Sequence, residues 1–389
     1  MEEWKSYKLS DVANLTTGFP FDGHKYAKDG VRVVRGDNVT IGSLRWDADK
    51  DKRWNEPFSR SSEYTLYDGD IVIGMDGSRV GRNRAQISKA DLPLLLAQRV
   101  ACIRHNEKSC QEFLYYQIFS DCFVEYIKAV QTGTSIPHVS LKQIGDFPIK
   151  LPSIEEQIRI AKILRSLDDK IALNNRINHN LLKLAQELFD NGFIVNSCCS
   201  NTCKAASLLD IAEYLNGLAM QKYPAVNGEV GLPVLKIKEL GQQACDANSD
   251  KCSESIPVQY VVNDGDIIFS WSGTLLVDFW CGGLCGLNQH LFKVSSDNYP
   301  NWFVYFWTKH HLDRFIRIAK DKAVTMGHIK RGDLANAEVI IPNDDLMKEL
   351  NKEITPIISE YIDRRVENRK LQSLRDSLLP ELMSGQLTC

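Results

Sequence analysis

The sequence predicts an α+β protein built twice over: two tandem mixed α/β domains, separated by two long antiparallel helices that form a coiled coil about a pseudo-twofold axis. Three observations predict it. LYDGDIVIGMDGS at 66–78 returns as VNDGDIIFSWSGT at 262–274, with 196 residues from Asp68 to Asp264. Other segments around this piece return in the same order. Each copy then runs into a long stretch almost free of Gly and Pro, with apolar residues in steps of three and four.

The matched segments define the two copies. KLSDVANLTTG at 8–18 pairs with SLLDIAEYLNG at 207–217, and Gln98 in LLLAQRVACI with Gln289 in CGLNQHLFKV. EFLYYQIF at 112–119 pairs with WFVYFWTK at 302–309, and TSIPHVSLKQIGDFPIKLPS at 134–153 with VTMGHIKRGDLANAEVIIPN at 324–343. The spacing falls from 199 near the start to 190 at His138/His328 and Pro152/Pro342. Insertions and deletions therefore fell in the first part of each copy, giving a variable globular part and a more constant tail. Within the globular parts, VRVVRGDNV, GDIVIGM and VACIRH read as short strands, as do GDIIFSWS and LFKVSS. QEFLYYQIFSDCFVEYIKAVQ and NWFVYFWTKHHLDRFIRIAK each read as an amphipathic helix packed by its aromatic side chains.

The tails read as long helices. Ser153 suits an N-cap after Pro152, and Glu156 completes a capping box. No Gly or Pro follows until Gly192. Leu164, Leu167, Ile171, Asn174, Asn178, Leu181, Ala185 and Leu188 form a coiled-coil seam. A helix from Ile154 to Phe189 spans about 54 Å. In the second tail Asn343 offers the N-cap, and Ile354, Ile357, Tyr361, Arg364, Asn368, Leu371 and Leu378 repeat the seam. Pro356 is expected to kink this helix, and Arg375 stands where the first seam has Ala185. Asn178 and Asn368 occupy matching seam positions, where a buried Asn sets register; a solvated Asn is the alternative. The expected boundaries are 1–152 for the first domain, 153–190 for its helix, 191–205 for a polar, Cys/Ser-rich linker loop, 206–342 for the second domain and 343–389 for the last helix.

Composition narrows the function classes. Of 389 residues 43% are hydrophobic and 25% charged, the balance of a soluble protein with sizeable cores. No apolar stretch predicts a membrane span, and MEEWKSYKLSDV lacks the apolar region of a signal peptide, so the cytoplasm is the expected compartment. Eleven cysteines in such a chain predict reduced thiols. Neither Cys198, Cys199 and Cys203 nor Cys281 and Cys285 has zinc-site spacing. Asp68, Asp70, Asp264 and Asp266 resemble paired metal carboxylates, but Asp-Gly-Asp before a strand is a turn signature. No metal site and no cofactor is assigned to the chain. It lacks an Asn/Asp-Pro-Pro-aromatic methyltransferase motif and GxxxxGK[ST], and GMDGSRVG lacks dinucleotide-binding spacing. These absences favour a non-catalytic role.

Two similar heads on a stiff spacer make a ruler, and about 54 Å corresponds to roughly 16 base pairs of B-DNA. At this point the residues match a known family. The duplicated head-plus-helix order, GDIVIGMDGS with its partner, TSIPHVSLKQIGDFPIKLPSIEEQIRIAKILRSLDDKI, and the ending NRKLQSLRDSLLPELMSGQL resemble the specificity subunits of type I restriction–modification systems. The resemblance spans nearly the whole chain. It implies two target recognition domains, each reading one half of a bipartite sequence in double-stranded DNA. It also implies helices that dock two methyltransferase subunits and, through them, two motor–endonuclease subunits. S-adenosylmethionine, ATP and Mg would then belong to those partners. A specificity subunit for a fused methyltransferase–nuclease and a coiled-coil scaffold without DNA readout are the alternatives. The net charge of −3 requires any DNA contact to be local or shared with a partner.

Candidate DNA contacts follow from residue type and place. In head one they are Arg79, Arg82 and Arg84 of GSRVGRNR, and Arg35 and Asn38 after the strand VRVV. Arginine suits guanine or phosphate and asparagine suits adenine; a solvated loop and a turn are the plainer readings. Lys236 and Lys238 hold the comparable place in head two. Gln98 and Gln289, and likewise His138 and His328, recur in heads that should read different sequences, so phosphate positioning or a structural hydrogen bond fits them better than base readout. Thr134 and Ser135 precede His138 in a Gly-containing loop, with Lys322, Lys330 and Arg331 as the basic counterpart. Trp271 and His290, beside the second Gly turn and Gln289, complete the set.

Overall fold

The computed structural model describes residues 4–58, 61–133, 135–195, 203–226, 228–321 and 327–387. The chain divides into two compact units, residues 1–168 with 374–389 and residues 169–373. No helix among the described residues is long and apolar enough to cross a membrane.

The first unit holds head one. Its main sheet is antiparallel, in the order Ala13–Thr17, Val100–His105, Ile71–Gly74, Arg84–Gln86. A second sheet has the order Arg53–Trp54, Val31–Val34, Leu94–Leu96, Thr65–Leu66, with its two middle strands parallel. The run IVIG is apolar throughout because it is covered on both sides. Ile71 and Ile73 join a core with Leu9, Phe113 and Phe123, while Val72 packs with Val34, Leu94 and Leu96 on the other face. The second unit repeats this plan in the orders Glu213–Asn216, Leu291–Ser295, Ile267–Ser270, Leu276–Phe279 and Lys251–Cys252, Leu232–Leu235, Cys285–Leu287, Val261–Val262. Ile267 and Phe269 again face one core and Ile268 the other.

Two short features of the repeat acquire a reason. Asp70 is 2% exposed; its carboxylate accepts from the Tyr67 amide at 2.7 Å and takes both arms of Arg104, so the first Asp-Gly-Asp is a turn locked by charge. Asp266 does the same with the Asn263 amide and Lys293. Gly18 and Gly217 are required by close approach: a Cβ would lie 2.1 Å from the Leu96 carbonyl oxygen or 2.2 Å from that of Asn288.

The predicted single helix over 111–131 is two helices, Gln111–Ile118 and Asp121–Val130. Ser120 divides them by capping the second: its Oγ accepts from the Phe123 amide at 3.3 Å. Head two divides in the same way into Asn301–His310 and Leu312–Asp321.

The first long helix is Ile154–Phe189. Ser153 Oγ accepts from the Glu156 amide, and the neighbouring Gln157 ties the helix to head one. Gln157 is 1% exposed, accepts from the Cys110 amide at 3.0 Å and donates to the carbonyls of Lys108 and Pro152. Within the first unit Ile160, Ala161 and Leu164 pack with Leu382, and Leu378, Leu379 and Met383 lie against the same core. Arg375 fits its seam position because Asp168 Oδ1 accepts from it at 2.8 Å, while Tyr116 donates to Asp168 Oδ2 at 2.7 Å. The expected linker loop begins later than 191: Asp190–Val195 stays helical and Phe193, 1% exposed, enters the core of head two. Residues 196–202, with Cys198 and Cys199, lie outside the described residues.

The second long helix, Asp344–Ser384, opens on the expected cap, the Leu346 amide donating to Asn343 Oδ1 at 2.9 Å. It continues through Pro356, which is exposed, as is Lys352 one turn earlier. The carbonyl that loses its partner there faces water, so the ring costs less than in a buried helix interior. Within the second unit the two helices run antiparallel, Lys170 meeting Glu367 and Asn174 meeting Arg364. Of the expected seam residues, Ile171, Ala185, Ile354 and Tyr361 are buried, and Leu181, Ile357 and Leu371 half-buried; Ile358, outside the expected seam, is buried, and in the first unit Leu164 is buried and Leu167 half-buried.

The seam asparagines are buried, but Asn368 does not pair with Asn178. Asn174 donates to Asn368 Oδ1 at 2.9 Å and to Glu367, accepts from Arg364 at 2.9 Å, and Asn368 donates to Asn175 at 2.8 Å. Neither amide atom of Asn178, 6% exposed, has a hydrogen-bond partner among the described residues. Asn178→Leu is therefore expected to raise stability by about 1–3 kcal/mol, read as an upward shift in the thermal midpoint; an unchanged or lowered midpoint would count against it.

Candidate nucleic-acid interface

In head one the parallel strands Val31–Val34 and Leu94–Leu96 and the central strand Ile71–Gly74 all end on the same side. Their exits, at Arg35, at Gln98 and Arg99, and at Asp76, line one cleft of about 750 Å³. Arg45 and Arg79 also line it, so four guanidinium groups face two carboxylates, Asp37 and Asp76. Arg35 lies over the Tyr26 ring at 5.7 Å, and burial raises the Tyr26 hydroxyl above its usual range. Arg45 donates to the Asp37 carbonyl at 3.1 Å. Arg99 donates to Asp76 Oδ2 at 2.8 Å and has φ 65°. Ile136 is 66% exposed on the same cleft. A local concentration of arginines answers the objection raised by a net charge of −3.

The sequence candidates of head one separate into two groups. Arg35, Arg79 and Gln98 meet in the cleft, and Ser135 and His138 are exposed in the loop beside it, where Thr132 Oγ1 lies 2.9 Å from His138 Nε2. Arg82 is exposed but lies outside the cleft lining. Asn38 and Arg84 are not surface readers. Asn38 is fully buried, donating to the carbonyls of Arg45 and Lys50 and accepting from the Arg35 amide, so its amide holds the loop together. Arg84, 7% exposed, donates to the carbonyls of Gly81 and Phe119, and burial lowers its pKa. Thr134 lies outside the described residues.

In head two Trp271, Gln289, His290 and His328 come together. Trp271 Nε1 donates to Asn216 at 2.9 Å, its ring lies 6.1 Å from that of His290 and 6.3 Å from that of His328, and Ser272 Oγ is 3.0 Å from His290 Nδ1. Gln289 Nε2 is 3.4 Å from His290 Nε2. Lys236 and Lys238 are engaged by Asp250 and Asp246, which offset their charge locally. Lys330 is exposed, whereas Arg331 lines a separate depression with Asp210, Glu213 and Asp297. Lys322 lies outside the described residues.

Sequence reading missed Asp76, Arg99, Tyr26 and Arg45. Arg99 carried a signal, since it directly follows the paired Gln98 as His290 follows Gln289.

One α/β module, present twice with different polar side chains at equivalent strand ends and each time followed by a long helix, defines an internally duplicated protein. The family profile of the type I restriction modification DNA specificity domain matches residues 1–183. The MjaIX specificity subunit of Methanocaldococcus jannaschii is 26% identical over 325 residues, 77% of this chain and 74% of that protein. The EcoBI specificity subunit of Escherichia coli is 23% identical, covering 100% of this chain and 87% of that protein. The crystal structure of a type I S subunit from M. genitalium shares the fold, with a TM-score of 0.65, 14% identity and coverage of 98% and 96%. Residues 1–183 thus match a type I DNA specificity domain, and the chain is similar over most of its length to type I restriction enzyme specificity subunits.

Proposed function

We propose that each head reads one half of a bipartite, asymmetric DNA target through the side chains at these strand ends, and that the long helices set the spacer between the halves. The observation that carries this reading is that equivalent strand ends bear different polar side chains in the two heads, an arginine-rich cleft in head one and the cluster of Trp271, Gln289, His290 and His328 in head two. Identical modules would read identical halves; modules that share a backbone and differ at the mouth read different ones. Gln98 with Gln289 and His138 with His328 are the phosphate-positioning pairs, because they do not change between the heads. Arg35 and Arg79 contact the duplex in head one, and Lys330 does so in head two.

In this reading the helices also dock two methyltransferase subunits and, through them, two motor–endonuclease subunits in a cytoplasmic complex. S-adenosylmethionine, ATP and Mg act on those partners. The net charge of −3 leaves much of the phosphate neutralisation to the methyltransferase subunits. Affinity for target duplex measured against salt should fall more steeply for the complex than for the isolated chain, since each neutralised phosphate adds about 0.9 to the slope. Equal slopes would remove the shared-neutralisation idea. Sequencing the methylated sites of cells expressing the complex tests the function itself, and a target lacking two separated halves would overturn it.

A further inference from the structure

We infer that one structurally equivalent slot determines specificity in both heads: the residue following the shared glutamine, Arg99 in head one and His290 in head two. This rests on the DNA-reading function proposed above.

Backbone hydrogen bonds establish the equivalence without reference to side chains. The Met75 amide donates to the Arg99 carbonyl at 3.0 Å, and the Trp271 amide to the His290 carbonyl at 3.4 Å. Gly77 donates to Pro137, and Gly273 to Gly327. Val139 donates to Met75, and Ile329 to Trp271. Asp76 bridges His138 as Ser272 bridges His328. Within this common frame the glutamine and the bridging histidine are kept, while three neighbouring side chains change: Met75 against Trp271, Asp76 against Ser272, and Arg99 against His290.

The changed residues act together. In head one Asp76 accepts from Arg99 at 2.8 Å, and in head two the Ser272 hydroxyl lies 3.0 Å from His290 Nδ1. Each slot thus carries a reader and the group that orients it, and both members have been exchanged. A structural pair inherited by both heads has no reason to change at both positions. Arg99 also adopts a left-handed φ of 65°, unfavourable for a residue with a side chain, which His290 does not share. Its side chain is 71% exposed on the cleft, so burial does not account for that conformation. An exposed, carboxylate-oriented guanidinium fits the two acceptors on the major-groove edge of guanine. His290, beside the Trp271 ring, offers an imidazole and an aromatic face and no guanidinium fork.

The test uses the complete complex with its methyltransferase partner, reading the methylated motif by sequencing and the affinity by competition with single-base variants of the target. Arg99→Lys keeps the charge and loses the fork. It should cost roughly 5- to 150-fold on the preferred sequence and relax a guanine at one position of one half-site. Asp76→Ser combined with Arg99→His should change that same position, and neither variant should alter the other half. Retention of the guanine preference in Arg99→Lys would overturn the proposal, as would equal weakening on all duplexes with a smaller salt slope in the Asp76→Ser, Arg99→His variant, the signature of a phosphate contact. If Arg99 variants fail to assemble, His290→Arg with Ser272→Asp is the reciprocal test: it should introduce a guanine preference in the other half, and its failure to do so sinks the idea. A wild-type complex with no bipartite motif removes the function and the slot together; a bipartite motif untouched by these variants removes only the slot.

Discussion

A chain carrying another specificity subunit's head in place of residues 1–152 is expected to direct methylation to a target with one new half and one unchanged half. The structure gives a physical reason for this tolerance. The buried Gln157 side chain that roots the first helix bonds the Cys110 amide and the Lys108 and Pro152 carbonyls, which are backbone groups that any head of this fold presents. The Tyr116–Asp168 hydrogen bond depends on a side chain of the exchanged segment. Its loss costs about 1 kcal/mol, too little to unfold a domain of ordinary stability. Sequencing the methylated sites before and after the exchange checks the result. Change in both halves, or in neither, contradicts independent reading by the two heads.

The polar layer of the helix seam gives the second large effect. Asn174→Leu removes an acceptor from Arg364 and a donor from Asn368, both held inside the second unit. The expected loss is roughly 1–3 kcal/mol, because Arg364 keeps its ion pair with Glu360 while Asn368 keeps only part of its bonding. Replacing Asn174, Arg364 and Asn368 together by leucine should recover that stability or exceed it, since a well-packed apolar seam avoids the desolvation of buried polar groups. What the triple variant should lose is register. Denaturation midpoints of the single and triple variants, with the spacing between methylated half-sites, measure the two effects separately. A triple variant less stable than Asn174→Leu would show that the layer stabilises the pair outright.

Much of the fold was legible because the sequence is its own control. The strands IVIG and IIFS are visible as short apolar runs after Asp-Gly-Asp in two divergent copies at once, although their order in the sheets is not. The helix seam was legible from its period, down to the buried asparagines. The pairing of those asparagines was not. Antiparallel packing sends equivalent positions to opposite sides of the crossing point, so Asn368 finds Asn174 and Asn175 while Asn178 finds no partner among the described residues. The cleft was half legible. Gln98 and His138 announced themselves by recurring. Arg99 changes between the copies, so its only signal was its place directly after the recurring Gln98. Arg84 misled because an arginine in GSRVGRNR reads the same whether it faces water or bonds the carbonyls of Gly81 and Phe119. The break at Ser120 was hidden because the apolar period runs across it.

The packing of Leu382 onto Ile160, Ala161 and Leu164 has a consequence for how the protein is made. The domain formed by residues 1–168 is completed by residues 374–389, which are synthesised after the whole of the other unit. At about 5–20 residues per second, Leu164 waits on the order of 10–40 s for Leu382 to be synthesised. Throughout that interval the nascent head carries an uncovered apolar strip, and the unit comprising residues 169–373 has all of its own chain before the strip is covered. The order of synthesis and the order of completion are therefore reversed for the two halves of this molecule.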